Sequence, residues 1–475
     1  MFKKQFPFWL FSISLILALI LPVLIQDGMF MDAMLYTSVS KNLGNGIGSF
    51  WFPVFSKCGI AGLSTFHEHP PLVFGIQSLF FRLLGNSMYT ERIYVLLTLF
   101  ITGFLIVSIW KQITKGSFVS HSGWIPLFLW IIIPVCFWSF SNNMQENTMG
   151  IFVLLSVYFY LKINESRSFN TIYLLCSALS IFLATFSKGI PGFFPIAIPF
   201  IYWLCTKKIS SKQIFSHSFI LCSIPLLIYL LLFNLPESGE SLSNYLFKRV
   251  LIRINDAPTV DSYFWIIGRL LAELILPLGI VMLLFSIFRK KGYTPDKKII
   301  SLSCFFLLFG LAGAAPLMLT KVQKGFYFVP SLPFFAIGFS LLISQPVSEW
   351  SFKIMEGSKN KILLLSSIVL LCLVIIFSSF NIGKVSRDKN LLHDAYLIGN
   401  TVPENSTINI PSEMWNEWSM QCYLIRYFNI SLDPTPIRKN DFVLTYKNLP
   451  DTSLSVYEKV PLATETFDLY KKRKE

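Results

Sequence analysis

Two aspartates, Asp27 and Asp32, stand directly after the first apolar run of the chain. An Asp at a helix start is ordinarily an N-cap, and by position alone either one reads that way. Their company in the same polar segment points to chemistry. Tyr36 follows Asp32 by four residues, a glycine-rich turn occupies residues 44–48, and Phe50-Trp51-Phe52 leads on to Phe66-His67-Glu68-His69-Pro70-Pro71-Leu72. A carboxylate in such a setting can take a proton from a reacting hydroxyl or amine. A second carboxylate, Glu146, lies in Asn142-Asn143-Met144-Gln145-Glu146-Asn147. Its plainer account is a solvated loop charge or an acidic residue at a helix N-terminus. Cations able to hold a phosphate occur in three places: Lys188 in Ser187-Lys188-Gly189-Ile190-Pro191-Gly192, Lys321 and Lys324 before Tyr327, and Arg249 with Arg253. Lys188 could equally snorkel to an interface. Arg249 and Arg253 could equally touch anionic headgroups from a basic interfacial helix.

These residues need elements to carry them, and the composition says what kind. The chain has 475 residues, 53% hydrophobic, 16% aromatic and 14% charged, with a mean hydropathy of +0.59. A soluble domain carries about 25% charged residues. So long and apolar a chain needs lipid as its solvent. The net charge of +14 then reflects Lys and Arg gathered beside membrane spans, with a basic groove for lipid phosphate as a second contributor. No nucleic-acid partner is implied. Six of the eight cysteines fall within apolar runs and no CxxC or Cys/His spacing is present, so buried small hydrophobes are expected rather than zinc or a redox pair.

Apolar runs of spanning length fall at residues 8–25, 93–110, 124–140, 148–163, 172–186, 192–205, 215–233, 263–288, 299–319, 326–343 and 362–380, about eleven in all. The first follows Lys3 and Lys4, lacks a small-x-small cleavage site and reads as an uncleaved helix. Basic residues collect in alternate short loops: Lys3/Lys4, Lys111/Lys115, Lys162/Arg167, Lys207/Lys208/Lys212, Arg289 to Lys298, and Lys353/Lys359/Lys361. This places the N-terminus in the cytoplasm and residues 27–92 outside, together with everything after residue 380. Within that first outer loop, residues 32–43 and 69–84 show amphipathic helical spacing, the second opened by Pro70-Pro71. Residues 241–254 look similar. The expected organisation is an all-α membrane domain over 1–380 and a small α/β domain over 381–475. In the latter, residues 408–410, 442–446 and 456–460 read as strands and residues 415–427 as a helix.

The ordered set resembles a family. GT-C class membrane glycosyltransferases, such as protein O-mannosyltransferases and bacterial aminoarabinose transferases, carry an acidic motif after the first span with Tyr four residues on. A Lys-Pro-Pro-Leu or His-Pro-Pro-Leu element follows in the same loop. The matches here are Asp32 to Tyr36, and His69-Pro70-Pro71-Leu72, with Arg92 at the position of the family's loop-ending Arg. Glu146 fills a place usually held by Asp, residues 188–192 resemble a Lys-Gly-x-x-Gly turn, and residues 324–330 a basic-x-x-Tyr-x-x-Pro entry to a late span. The resemblance covers the chain to about residue 343.

The resemblance implies an inverting transfer of a sugar from a polyprenyl-phosphate donor to a lipid, glycan or protein acceptor in the cell envelope, on the outer face of a bacterial inner membrane. It implies Asp32 and Glu146 as catalytic residues. It implies substrate contacts from Tyr36, Glu68, His69, Lys188, Arg249, Arg253, Lys324 and Tyr327. No cofactor is required, no metal-ligand cluster is visible, and two carboxylates could recruit a divalent cation only weakly. A rival alignment makes Asp27 the base. The alternative class, a transporter or flippase for an envelope lipid, would place charges and broken helices near the bilayer midplane. Nearly all the acidic residues of this chain lie instead in loops or at span ends. The donor sugar and the acceptor are not legible.

Overall fold

In lipid, a backbone that crosses must satisfy its own N–H and C=O groups, so the apolar runs become helices. The computed structural model describes residues 2–60, 62–163, 170–253, 258–356, 359–435, 440–447 and 454–473. Arg167 and Ile254 lie outside these residues, as do the side chains of Lys3, Lys4, Arg253 and Lys359. The chain divides into two units, Met1–Leu24 with Val95–Asn381, and Ile25–Tyr94 with Ile382–Glu475.

The described residues hold 8 helices long and apolar enough to cross a membrane, from Gln5–Leu24 to Asn360–Ser379. Three shorter helical segments fall where spans are expected: residues 124–140, Gln145–Lys162 and Ile190–Thr206. The chain is a multi-pass membrane protein, mostly helical. Gly325–Ile354 is its central member, with 89% of its most apolar stretch buried, against 11% for Ser211–Phe233 at the rim. Close approach rests on small residues. Ser303 Oγ donates to Gly338 O at 2.8 Å, Ser177 Oγ to Ser156 O at 2.8 Å, and the Phe335 ring lies against Gly310.

Two expected helices are interrupted. Residues 124–140 form Trp124–Ile131 and Pro134–Phe140. A proline pushes the residue before it out of the α region, and Ile133 sits at φ −71°, ψ 120°. The break frees the Val135 N–H, which donates to Glu273 Oε2 at 2.7 Å. The other oxygen of this buried carboxylate accepts from Arg269 Nη2 at 2.5 Å. Glu273→Leu should leave that N–H without an acceptor in apolar surroundings, at about 1–3 kcal/mol, whereas Glu273→Gln keeps an oxygen there. Thermal unfolding in detergent should therefore rank wild type, Gln, then Leu; equal midpoints for Gln and Leu would show that the acceptor is not needed. The second interruption is the expected amphipathic helix at residues 241–254. It runs as Pro236–Ser243, a π-helical turn Asn244–Val250, and Leu251–Arg253.

In the second unit, Met31–Gly44 packs on Leu72–Leu84 and on Trp418–Phe428. Gly44 permits the first contact, because a Cβ there would stand 2.8 Å from Phe81 Cβ. The C-terminal part carries five strands: β1 (Thr407–Asn409), β2 (Ser431–Asp433), β3 (Phe442–Tyr446), β4 (Tyr457–Lys459) and β5 (Phe467–Lys472). Their order is β2-β1-β3-β5-β4, with β1 parallel to β2 and β3 and the β3–β5 and β4–β5 pairs antiparallel. The three expected strands are present, while β2, β5 and the helix Lys389–Thr401 are additions. Lys41 ties the Asp32 helix to Trp418–Phe428. Its buried ammonium donates to Ile425 O, Arg426 O and Asn429 Oδ1 at 3.1, 2.9 and 2.5 Å.

Candidate active site

Asp32 is the second residue of Met31–Gly44, and the N-cap position belongs to Phe30. The carboxylate therefore stands in the first turn, where the helix dipole favours negative charge. It is half-buried. One turn on, Tyr36 is buried, and a hydrogen bond of 3.0 Å joins its hydroxyl to His69 Nε2. The two rings meet edge to face, with centroids 5.3 Å apart, and Phe74 backs Tyr36. Pro70 and Pro71 fix the entry to Leu72–Leu84 and so hold His69 against the Asp32 helix. Glu68 is buried beside them in sequence, and His67 is occupied by Thr65 Oγ1 at 2.8 Å. Burial, with the Asp32 charge added, raises the thiol pKa of Cys422 on Trp418–Phe428. That helix therefore passes close to Asp32.

Asp27 has different surroundings. Its Oδ1 accepts from Tyr427 Oη at 2.5 Å and from the Gly28 N–H at 2.7 Å, and its Oδ2 from Tyr396 Oη at 2.7 Å. Arg92 Nη2 stands 3.9 Å away and also donates to Gln26 O at 2.7 Å. Burial first, and then Asp27, raise both tyrosine pKa values, so both phenols stay protonated and donate. The carboxylate is a knot that ties residues 25–94 to the C-terminal part of the same unit. Asp27→Asn should lower the unfolding midpoint clearly, by loss of a buried charged acceptor worth about 3–5 kcal/mol, yet leave the turnover of folded molecules within a few fold. Thermal unfolding read beside activity per folded protein checks this; unchanged stability with lost activity would reverse the assignment.

In the first unit, Glu146 lies in the first turn of Gln145–Lys162 and is fully buried. Lys188, the last residue of Asn170–Lys188, brings Nζ to 2.5 Å from its Oε1. The same ammonium stands 5.6 Å from the ring centre of Tyr327 and 5.7 Å from that of Phe326. The turn after Lys188 explains its glycines. Gly189 has φ 92°, and the Tyr245 hydroxyl occupies the place a Cβ would take; Gly192 packs on the Ala184 and Thr185 backbone. The start of the Glu146 helix is held by Asn147, whose Oδ1 accepts from Ser139 Oγ at 2.6 Å. Among the described residues no group of three or more His, Cys, Asp or Glu could hold a metal ion.

Residues 68–235 match the family described as dolichyl-phosphate-mannose-protein mannosyltransferase. No curated protein matches the chain by sequence. Among solved structures, ArnT from Cupriavidus metallidurans bound to undecaprenyl phosphate is similar, with a TM-score of 0.63 and 11% identity over 97% of each chain. Its apo state gives a TM-score of 0.62. The archaeal oligosaccharyltransferase AglB from Archaeoglobus fulgidus, in complex with an inhibitory peptide and a dolichol-phosphate, has a TM-score of 0.53 and 12% identity. That likeness covers 94% of this chain and 70% of AglB. The chain shares the fold of these structures, and its residues 68–235 are similar to the mannosyltransferase family. The expected fold, a helical membrane region with a small C-terminal sheet, is the one found.

The residues singled out by sequence form two groups. Asp32, Tyr36, Glu68 and His69 belong to the second unit, while Glu146, Lys188, Arg249, Lys324 and Tyr327 belong to the first. Tyr36 meets His69, and Lys188 meets Glu146 and Tyr327. Lys324 is exposed at the start of the 3-10 turn Gly325–Ser331. Arg249 lies on the π-helical turn that carries Tyr245. Sequence reasoning missed Gln145, which is fully buried and whose amide atoms have no hydrogen-bond partner among the described residues. Its signal was the polar run 141–148, unusual between two apolar segments.

Proposed function

We propose that this protein is a GT-C glycosyltransferase that moves a sugar from a polyprenyl-phosphate donor to a hydroxyl or amine of a cell-envelope acceptor. The observation that carries the reading is the Tyr36–His69 hydrogen bond. It joins two motifs 33 residues apart into one group around the first turn that holds Asp32. A sugar on a lipid phosphate already has a good leaving group, so no acid is needed to expel it. The acceptor must be made nucleophilic. Asp32 takes the acceptor proton as the new bond to C1 forms, and the C1–O bond breaks with its electron pair leaving on the phosphate. Attack from the face opposite the phosphate inverts C1. Cations offset the charge that gathers on the phosphate. Lys188 and Lys324 supply that charge, with Arg249, Arg253 and Tyr327 as further contacts, and His69 adds a hydrogen bond. Glu146, paired with Lys188, shapes the acceptor site.

The reaction so written needs no metal. The basic residues of alternate short loops support a cytoplasmic N-terminus, and so an extracytoplasmic second unit, in a bacterial inner membrane. Every residue given a role in the transfer lies within residues 1–380. Membranes holding the protein, given a radiolabelled polyprenyl-phosphate sugar and envelope extract, should move label from donor lipid into an envelope fraction. Label remaining on the donor across mannosyl, aminoarabinosyl, galacturonosyl and glucosyl donors would overturn the reading.

A further inference from the structure

A groove in the second unit takes no part in the chemistry above. It lies between the end of Met31–Gly44, residues 46–50 and one face of Leu72–Leu84, and has a volume of about 390 Å³. Ligand sites measure roughly 300–1,000 Å³. Leu43, Phe50, Leu72, Ile76 and Leu79 give it apolar walls, and Arg82 lines it as well. The same helix continues apolar toward solvent, with Leu79, Leu83 and Leu84 at 53%, 81% and 48% exposed. A contiguous apolar strip of this kind marks a surface with a partner. Arg82 is the only charged residue of Leu72–Leu84; it is exposed, and no described residue pairs with its guanidinium.

We infer that the groove holds one acyl chain of an anionic glycerophospholipid, with its phosphate on Arg82. The guanidinium fork matches a phosphate in two hydrogen bonds and is weakly enough hydrated to sit at an apolar edge. The exposed leucines then lie among the neighbouring lipid chains, as an interfacial helix requires. The position separates this lipid from the reactants. Leu43 follows Asp32 by eleven residues on one helix, about 16 Å along its axis at 1.5 Å per residue. Phe81, next to Arg82, packs on Gly44 at that far end. A donor or an acceptor must bring its reacting group to Asp32, whereas a phospholipid headgroup has no such need. The inference rests on the second unit alone and stands or falls apart from the proposed reaction.

Native mass spectrometry of the purified full chain, delipidated in mild detergent and reloaded with phosphatidylglycerol, tests it. The wild type should retain one phosphatidylglycerol more tightly than phosphatidylcholine. Arg82→Glu should weaken that retention at least tenfold, Arg82→Lys less. Ile76→Trp should fill the groove and abolish it, and Ser49→Trp, on the loop wall, serves if Ile76→Trp does not fold. Equal retention by wild type, Arg82→Glu and a filled groove would overturn the inference. So would displacement of the bound lipid by an equal concentration of polyprenyl phosphate, which would assign the groove to the donor.

Discussion

Asp32→Asn is expected to lower the transfer rate by about 10²–10⁴-fold, the usual contribution of a positioned general base. The amide keeps the volume of the carboxylate but cannot take the acceptor proton. It also remains compatible with the first turn of Met31–Gly44, because the N-cap position belongs to Phe30 and no cap is lost. The unfolding midpoint should therefore move little. Asp27→Asn should behave in the opposite way, since Tyr396, Tyr427, Gly28 and Arg92 all converge on that carboxylate. The pair of variants separates chemistry from architecture within one segment. Steady-state transfer with a labelled donor, normalised to folded protein, reads the first, and thermal unfolding reads the second. Full transfer by Asp32→Asn with none by Asp27→Asn would assign the base to Asp27.

The second large effect concerns Glu146 and Lys188. Lys188→Met should leave a fully buried carboxylate without its cation, at a cost of about 3–5 kcal/mol. Glu146→Gln strands the ammonium in the same way, though the rings of Phe326 and Tyr327 still face it. The double variant Glu146→Gln/Lys188→Met removes both charges, and a neutral pair of similar volume costs little in apolar surroundings. It should regain most of the lost stability while transfer stays at least a hundredfold down, because the phosphate has lost a cation and the acceptor its carboxylate. Unfolding midpoints and transfer rates of the two single variants and the double check this. If the double variant regains transfer along with stability, the pair only holds the bundle together.

The membrane architecture was legible because length and hydropathy determine a span when no water is available to the backbone. The pairing of Tyr36 with His69, one turn on from Asp32, was legible from ordered motifs, and Lys188 from a glycine turn whose geometry admits nothing larger than Gly at residues 189 and 192. Other features depend on partners far apart in the chain. Nothing near Asp27 in sequence foretells Tyr396 and Tyr427, and Arg426 meets Glu91 at 2.7 Å across 335 residues. The break at Pro134 was visible as a proline inside an apolar run; its consequence, a carboxylate at Glu273 turned to a backbone N–H, was not. The strands β2 and β5 escaped for a different reason. β2 and the start of β5 are buried throughout yet carry Ser431, Asp433 and Asp468, so neither shows a continuous apolar run. The helix Lys389–Thr401 shows Leu392, Ala395 and Ile398 at helical spacing, but its polar remainder hides the stripe.

One measurement tests the central claim most directly. The purified protein is reconstituted in vesicles with a polyprenyl phosphate carrying a radiolabelled sugar and with delipidated envelope acceptor, beside an Asp32→Asn sample of equal fold. The account predicts label leaving the donor for the acceptor in the wild type, with release of free polyprenyl phosphate and inversion at C1, and both falling together in the variant. Release of label at equal rates in the two samples, or no release with any of the donor sugars tried, would contradict it.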